Sequence, residues 1–129
     1  MTAVASHPFR TAVENRDVDD MVALLDPQVR FYSPVAFKPF VGHEQVRALF
    51  TALFEVFEGF QYMDELAGDG THALIFRAQV GDAQVQGLDH MVLGGDGLVT
   101  EFTVMVRPLS AAIALAEAMA PRVGHLVKG

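Results

Sequence analysis

Cysteine and tryptophan are absent from this chain of 129 residues, and cations are few. Without cysteine there is no disulfide, no zinc–thiolate site and no thiol nucleophile, and the composition fits a reducing compartment. The 9 lysines and arginines are outnumbered by 16 aspartates and glutamates, which gives a net charge of −7. Proteins that bind nucleic acids usually present a basic patch. The scattered cations therefore argue against a nucleic-acid partner.

Long apolar runs are also missing. The longest, over residues 111–116, is far shorter than the about 20 residues that a membrane-spanning helix needs. Residues 2–6 show neither the cationic region nor the apolar core of a signal peptide. We therefore expect a cytoplasmic chain without a membrane partner. At this length we expect a single domain, residues 1–129, that buries one core.

Three glycine-containing turns divide the second half of the chain, at residues 68–70, 81–82 and 95–97. Each offers residues that tolerate positive φ, as hairpin turns require. The segments around these turns are rich in β-branched and aromatic residues, which favour strands. The predicted strands are 60–67, 71–80, 83–93 and 98–107. Short turns between consecutive strands predict an antiparallel meander.

Apolar residues at steps of three and four indicate helices in the first half of the chain. One set runs from Phe9 to Leu25, and another runs from Val46 to Phe57. Residues 29–33 alternate as a short strand between them. The alanine-rich segment 110–119 predicts a C-terminal helix that Pro121 ends. Helices followed by strands predict an α+β fold, with the helices stacked on one face of a curved sheet.

Alternation along the last two strands assigns side chains to the two faces of the sheet. Phe102, Val104 and Val106 share the face expected toward the helices, and in the preceding strand the more apolar set contains Asp89 and Met91. A carboxylate on an apolar inward face costs several kcal/mol unless it is paired, protonated or hydrated. Asp89 is therefore either a structural group bonded to buried backbone amides, or a polar anchor or acid–base group in a cavity.

The strand VRFYSP, the stretch FKPFVGHEQV that opens a helix, and the long meander together resemble the SnoaL-like and ketosteroid-isomerase-like members of the nuclear transport factor 2 superfamily. The resemblance covers nearly the whole chain. It implies a cone, in which a curved, mainly antiparallel sheet wraps around the N-terminal helices and a deep apolar cavity, with a C-terminal helix. It also implies pairing of two chains through the sheet.

The resemblance also carries particular positions. In ketosteroid isomerases a tyrosine and an aspartate donate hydrogen bonds to the substrate carbonyl oxygen, and a second aspartate, just before a proline, moves the proton. The resemblance places Phe9 at the tyrosine position, Ser33 before Pro34 at the base position, and Asp89 at the position of the donor aspartate. Phenylalanine cannot donate to an oxyanion, and serine is no general base near neutral pH. Steroid isomerisation by that mechanism is therefore disfavoured.

The histidines and glycines give weaker signals. None of the five histidines has the spacing of a metal ligand, and no cofactor-binding motif is present, so we expect no cofactor and no metal. His90 adjoins Asp89, but neighbours on a strand point to opposite faces. His72 is expected on the inward face with Phe76 and is kept as a candidate ligand contact.

We predict a cofactor-free protein that binds a small apolar molecule, with Asp89 as the catalytic group if it is an enzyme. The reaction would be of the isomerase, lyase or cyclase type, on an apolar carbonyl-containing or polycyclic substrate. A non-catalytic ligand-binding or dimerisation module is the alternative. Ser33 either lines the cavity or only completes the turn before Pro34. The predicted ligand contacts are Phe9, Phe31, Ser33, Leu49, Phe50, His72, Phe76, Met91, Phe102, Val104 and Val106.

The outward face of the predicted sheet mixes apolar and polar side chains, as interfaces do. We expect Ile75, Leu88, Val99 and Met105 on this convex face, which is more apolar surface than a monomer usually leaves in water. Two copies related by a twofold axis would bury it. The sequence therefore predicts a homodimer through the convex face of the sheet.

Overall fold

The computed structural model describes residues 6–126 of the chain. Four α-helices and six strands make up this part, with a short 3-10 helix at Gly124–Leu126. The helices are α1 (Pro8–Glu14), α2 (Val18–Ala23), α3 (Gly42–Val56) and α4 (Leu109–Val123). The strands are β1 (Leu25–Tyr32), β2 (Phe40–Val41), β3 (Glu58–Ala67), β4 (Thr71–Val80), β5 (Ala83–Leu93) and β6 (Val99–Arg107).

All six strands belong to one sheet, in the order β2-β1-β6-β5-β4-β3. Strands β3 to β6 form the predicted antiparallel meander, whereas β1 pairs in parallel with β6 and antiparallel with β2. Helix α3 packs against β1, and α4 packs against α3 and the meander. The predicted α+β cone is confirmed. Strand β2 was not predicted, because two residues are too few to show an alternation.

The core lies between the concave face of the sheet and the helices. The alternation expected for β5 and β6 is present: Asp89, Met91, Phe102 and Val104 are buried, whereas Met105 on the opposite face is 59% exposed. The sheet therefore has one covered and one open face, and this difference explains why apolar and polar residues alternate along β5 and most of β6.

The start of the sheet differs from the sequence expectation. Leu25 opens β1 instead of continuing a helix, and it pairs with Val99, the first residue of β6. Val99 is fully buried and does not lie on the convex face. The cause is a register irregularity: Val92 pairs with Glu101 but Leu93 pairs with Val99, so Thr100 is an extra residue on β6 and breaks the alternation on which the expectation for Val99 rested.

The C-terminal helix is longer than expected. Pro121 lies inside α4, which continues to Val123. A proline in a helix removes one backbone hydrogen bond and crowds the preceding turn. The side chains of Met119 and Val123 are both buried, and their packing offsets that loss. None of the helices within residues 6–126 combines the length and the apolarity needed to cross a bilayer.

Candidate functional site

A cavity of about 280 Å³ lies between the concave face of the sheet and the helices. Aromatic and aliphatic side chains make up almost all of its wall. Among the lining residues that the structure describes, four have polar or charged side chains: Arg16, Ser33, Tyr62 and Asp89. An apolar cavity with a few convergent polar groups is the usual form of a small-molecule site.

Two groups of aromatic rings form much of the wall. Phe9, Phe31, Phe50 and Phe102 are in contact, with ring centroids 5.0–6.0 Å apart. The second group comprises Phe57, Phe60, Tyr62 and Phe76, with centroids 4.8–5.7 Å apart. Edge and offset contacts at these distances hold the rings in place. The wall is therefore packed core that also borders open space.

Asp89 reaches this cavity from the middle of β5, where its neighbours across the sheet are Leu74 and Val104. The residue is only 6% exposed. Its Oδ2 accepts a hydrogen bond of 3.0 Å from the Tyr62 hydroxyl, and no backbone amide of the described residues donates to the carboxyl. Every fully buried side-chain nitrogen or oxygen in residues 6–126 has a partner. Asp89 Oδ1 accepts no hydrogen bond from these residues, and Asp89 belongs to the cavity wall, so this oxygen is not fully enclosed by them.

Burial sets the protonation of this pair. It raises the pKa of Asp89 to about 7, although the hydrogen bond from Tyr62 acts in the opposite direction. Burial, and next to it the negative charge of Asp89, raise the pKa of Tyr62, which therefore stays protonated. Near neutral pH the carboxyl exists in both forms. It can accept a proton from a bound molecule or give one up, while Tyr62 remains a donor.

Tyr62 was not predicted from the sequence. It lies on β3 opposite Phe76, between register irregularities at residues 58–61 and 62–64. Bulges shift the side chains that follow them to the other face, so alternation along β3 does not reveal its inward position. Only a short local pattern indicates the inward face: Phe60 and Tyr62 are aromatic residues two positions apart, as on one face of a strand.

The structure brings most of the predicted contacts to the cavity. Those that line it are Phe9, Phe31, Ser33, Leu49, Phe50, Phe76, Asp89, Phe102 and Val104. Ser33 is also part of a turn, because its Oγ accepts hydrogen bonds from the backbone amides of Val35 (3.4 Å) and Ala36 (3.1 Å). Whether any of these side chains contacts a ligand stays a prediction.

Three predicted contacts lie elsewhere. His72, Met91 and Val106 do not belong to the cavity wall in the described part of the chain. Met91 is fully buried on the correct face, and Val106 packs against the core, but neither is at the depth of the cavity. Alternation along a strand predicts which face of the sheet a side chain takes. It does not predict whether that side chain lies beside the cavity or beyond its end.

His72 belongs to a separate buried cluster around Glu65. Its Nε2 donates to Glu65 Oε2 at 2.6 Å, and the backbone amide of His7 donates to the same oxygen at 2.7 Å. Arg10 Nη1 donates to the other oxygen at 3.1 Å. Burial acts to raise the pKa of Glu65, but the hydrogen bonds outweigh it and the pKa is lowered. The cluster ties the start of α1 to β3 and β4, which is a structural role.

Metal ligation has no support in the described residues. No three histidine, aspartate or glutamate side chains within residues 6–126 come together in a way that could hold a metal ion. His90 lies on the opposite face of β5 from Asp89, as the alternation predicted. Of the four polar lining residues, Asp89 and Tyr62 are the pair joined by a hydrogen bond, and proton transfer in the cavity therefore rests on them.

Fold and site define a cone-shaped α+β protein of the nuclear transport factor 2 type, with an apolar cavity and an interior carboxyl group. The chain belongs to the SnoaL-like domain family, which matches residues 7–102. A comparison with curated protein sequences gave no match.

Solved structures agree with this assignment. The chain is 36% identical to a steroid delta-isomerase from Pseudomonas aeruginosa, with a TM-score of 0.85 over 92% of this chain and 88% of that one. It is 32% identical to an uncharacterized protein with a cystatin-like fold from Silicibacter pomeroyi, with a TM-score of 0.85 over 90% and 82% of the two chains. An NTF2-like protein from Burkholderia xenovorans shares the fold at 16% identity, with a TM-score of 0.66 over 82% and 88%.

Proposed function

We propose that the protein is an isomerase-type enzyme that binds an apolar carbonyl compound in the cavity and moves a proton with Asp89. The observation that carries this proposal is a buried carboxyl in the wall of an apolar cavity, with one oxygen held by Tyr62 at 3.0 Å and the other not fully enclosed by the described residues. The similarity to a steroid delta-isomerase at 36% identity supports the reaction type.

The chemistry follows from the protonation of the pair. In a substrate with a double bond between its β and γ carbons, ionised Asp89 takes a proton from the carbon next to the carbonyl group, and the electron pair of that C–H bond moves toward the carbonyl oxygen to give a dienolate. Asp89 returns the proton at another carbon of the conjugated system, so that a double bond has moved and no atom is lost. A general base works best when its pKa lies near the working pH, as burial places that of Asp89.

Tyr62 first positions the base in this scheme and then donates to the substrate. Its hydroxyl holds Asp89 Oδ2 and thereby aims Oδ1 at the cavity. Once Asp89 has taken a proton it is neutral and a weaker acceptor, because hydrogen bonds to charged groups are the stronger ones. The Tyr62 hydroxyl can then turn to the enolate oxygen and stabilise the developing charge.

Deuterium exchange at the α-carbon of 2-tetralone, followed by proton NMR in D₂O, tests this proposal. The wild-type chain should accelerate exchange, with a rate that rises with pH to a plateau above about 7, because the base must be ionised. Asp89→Asn should abolish the acceleration, and Arg77→Gln, on the exposed face of β4, should not change it. Equal rates with wild-type and Asp89→Asn protein would contradict the proposal.

A non-catalytic ligand-binding module is the second candidate, and one observation favours it. Ser33 stands where the resemblance places a base, and its Oγ is engaged with the backbone of the following turn. Binding of 2-tetralone measured by calorimetry separates the two candidates. Binding without any acceleration of exchange would support the binding module.

A further inference from the structure

Arg16 has an unusual backbone conformation at the end of α1. It is the only non-glycine residue in the described part of the chain with positive φ, at 53°. The backbone amide of Arg16 donates to Val13 O, and that of Asp17 donates to Ala12 O, both at 2.9 Å. These two bonds form a Schellman motif, in which the residue with positive φ is usually glycine. An arginine here accepts backbone strain that a glycine would avoid.

The side chain of Arg16 lies where the cavity wall meets solvent. Its guanidinium carbon is 4.7 Å from the centroid of the Phe54 ring, and Nη2 donates to Phe54 O at 3.0 Å. It is exposed to solvent and is also the single cationic residue among the described lining residues. The positive charge therefore stands at the solvent-exposed edge of the cavity wall, within reach of a molecule bound there.

No carboxylate of the described residues forms an ion pair with this guanidinium. Within residues 6–126, ion pairs are found for Arg10, Arg30, Arg47 and Arg122, but none is found for Arg16. The hydrogen bond to Phe54 O uses one of five N–H donors of the guanidinium. In a chain with a net charge of −7, an arginine at the exposed edge of the cavity wall without an acidic partner among these residues is available to an anion.

We propose that Arg16 binds the anionic end of the ligand, so that the natural ligand is an apolar carboxylic acid whose body fills the cavity. This inference rests on the proposed use of the cavity as a small-molecule site. The planar guanidinium fork matches a carboxylate better than a point charge does. Asp89 is the other charged lining residue. When ionised it repels a carboxylate, so the carboxylate stays at the exposed edge and the apolar end points inward.

Capping of α3 alone does not account for the arrangement. Phe54 O is one of the last carbonyls of α3, and a cationic side chain at a helix C-terminus is favourable. That contact explains one hydrogen bond and the position over the ring. It leaves the remaining donors of the guanidinium, next to the cavity, without a protein partner in the described chain.

Binding of 1-naphthylacetate and of its neutral amide, 1-naphthylacetamide, measured by calorimetry at about pH 7.5, tests this inference. Both probes have the same aromatic body and differ in charge. The acid should bind wild-type protein about fivefold more tightly than the amide, as expected for a partly exposed ion pair. Added salt should reduce the difference, because exposed charges are screened.

Variants at position 16 identify the cation responsible. Arg16→Gly suits the positive φ and removes the charge, so the acid should lose its fivefold advantage while the amide binds as before. Arg16→Lys should keep part of it. Arg77→Gln is the matched control, since it removes a cation from the exposed face of β4, and it should preserve the ratio.

The outcomes separate this inference from the proposed function. Equal binding of acid and amide to wild-type protein, or an unchanged ratio in Arg16→Gly, would overturn the anion site and leave the apolar cavity as a ligand site. Failure of both probes to bind would overturn both. Loss of α-carbon exchange chemistry with an intact acid preference would overturn the enzyme alone.

Discussion

Replacing Asp89 by asparagine removes the ionisable carboxyl but keeps its size and an oxygen that can accept from Tyr62. In the wild-type chain burial raises the pKa of Asp89 from 3.8 to about 7. The folded state therefore binds the proton more tightly than the unfolded state does. The stabilisation from this group is fully present below the unfolded pKa of about 3.9 and is lost as the pH rises through about 7.

The size of this effect follows from the change in pKa. Each pKa unit corresponds to about 1.4 kcal/mol, so a rise of about three units gives a total loss of about 4 kcal/mol, of which about 3 kcal/mol falls between about pH 4.5 and about pH 8. Asparagine does not titrate in this range. The free energy of unfolding of Asp89→Asn minus that of wild-type protein should therefore increase by about 3 kcal/mol over this interval.

Urea denaturation followed by circular dichroism, at a series of pH values, measures the two free energies of unfolding. The difference between the two proteins cancels the titration of all other groups as long as they are far from Asp89. Burying the asparagine amide in an apolar site also costs free energy, but this cost does not depend on pH. It would shift the difference in free energy of unfolding by the same amount at every pH and leave its slope against pH unchanged. A difference that stays flat across pH 7 would refute the argument that Asp89 is a buried carboxyl with a raised pKa.

Three further predictions concern packing, assembly and reaction type. An alanine Cβ at Gly87 would lie 2.1 Å from the Phe76 ring, so Gly87→Ala should lower the free energy of unfolding by about 1–3 kcal/mol in urea denaturation. Gly95→Ala, with nothing within 4 Å of its Cβ, is the control. Sedimentation at micromolar concentration should show a dimer, formed through the convex face of the sheet. The double variant Met105→Asp with Leu88→Arg should shift this dimer to monomer. A wild-type chain that sediments as a 14.0 kDa monomer would exclude the dimer. Ser33→Ala should leave isomerisation of a 3-oxo-5-ene steroid, followed by absorbance of the conjugated enone, at the wild-type level, because serine at the family's base position is no general base; turnover abolished by Ser33→Ala would contradict this.

Local sequence patterns determined the elements and their faces. The bounds predicted for 71–80 and 83–93 match β4 and β5, because turn residues and alternation act within a few residues of each other. The same alternation places Asp89 on the covered face, where the structure has it. The sequence alone therefore predicts that one ionisable residue is buried among apolar neighbours.

Only the tertiary structure decided which groups meet. Tyr62 and Asp89 are 27 residues apart, and their hydrogen bond depends on the register of β3 against β4, which two bulges shift. Arg16 has a backbone conformation that glycine usually adopts at the end of a helix. Because the residue is an arginine, the sequence did not indicate this conformation or the contact with the cavity. His72 lies on the predicted face but at the depth of Glu65. The period and composition of a strand determine which face of the sheet a side chain takes. Whether the side chain reaches the cavity, and which residue it contacts there, depend on contacts between segments far apart in the chain.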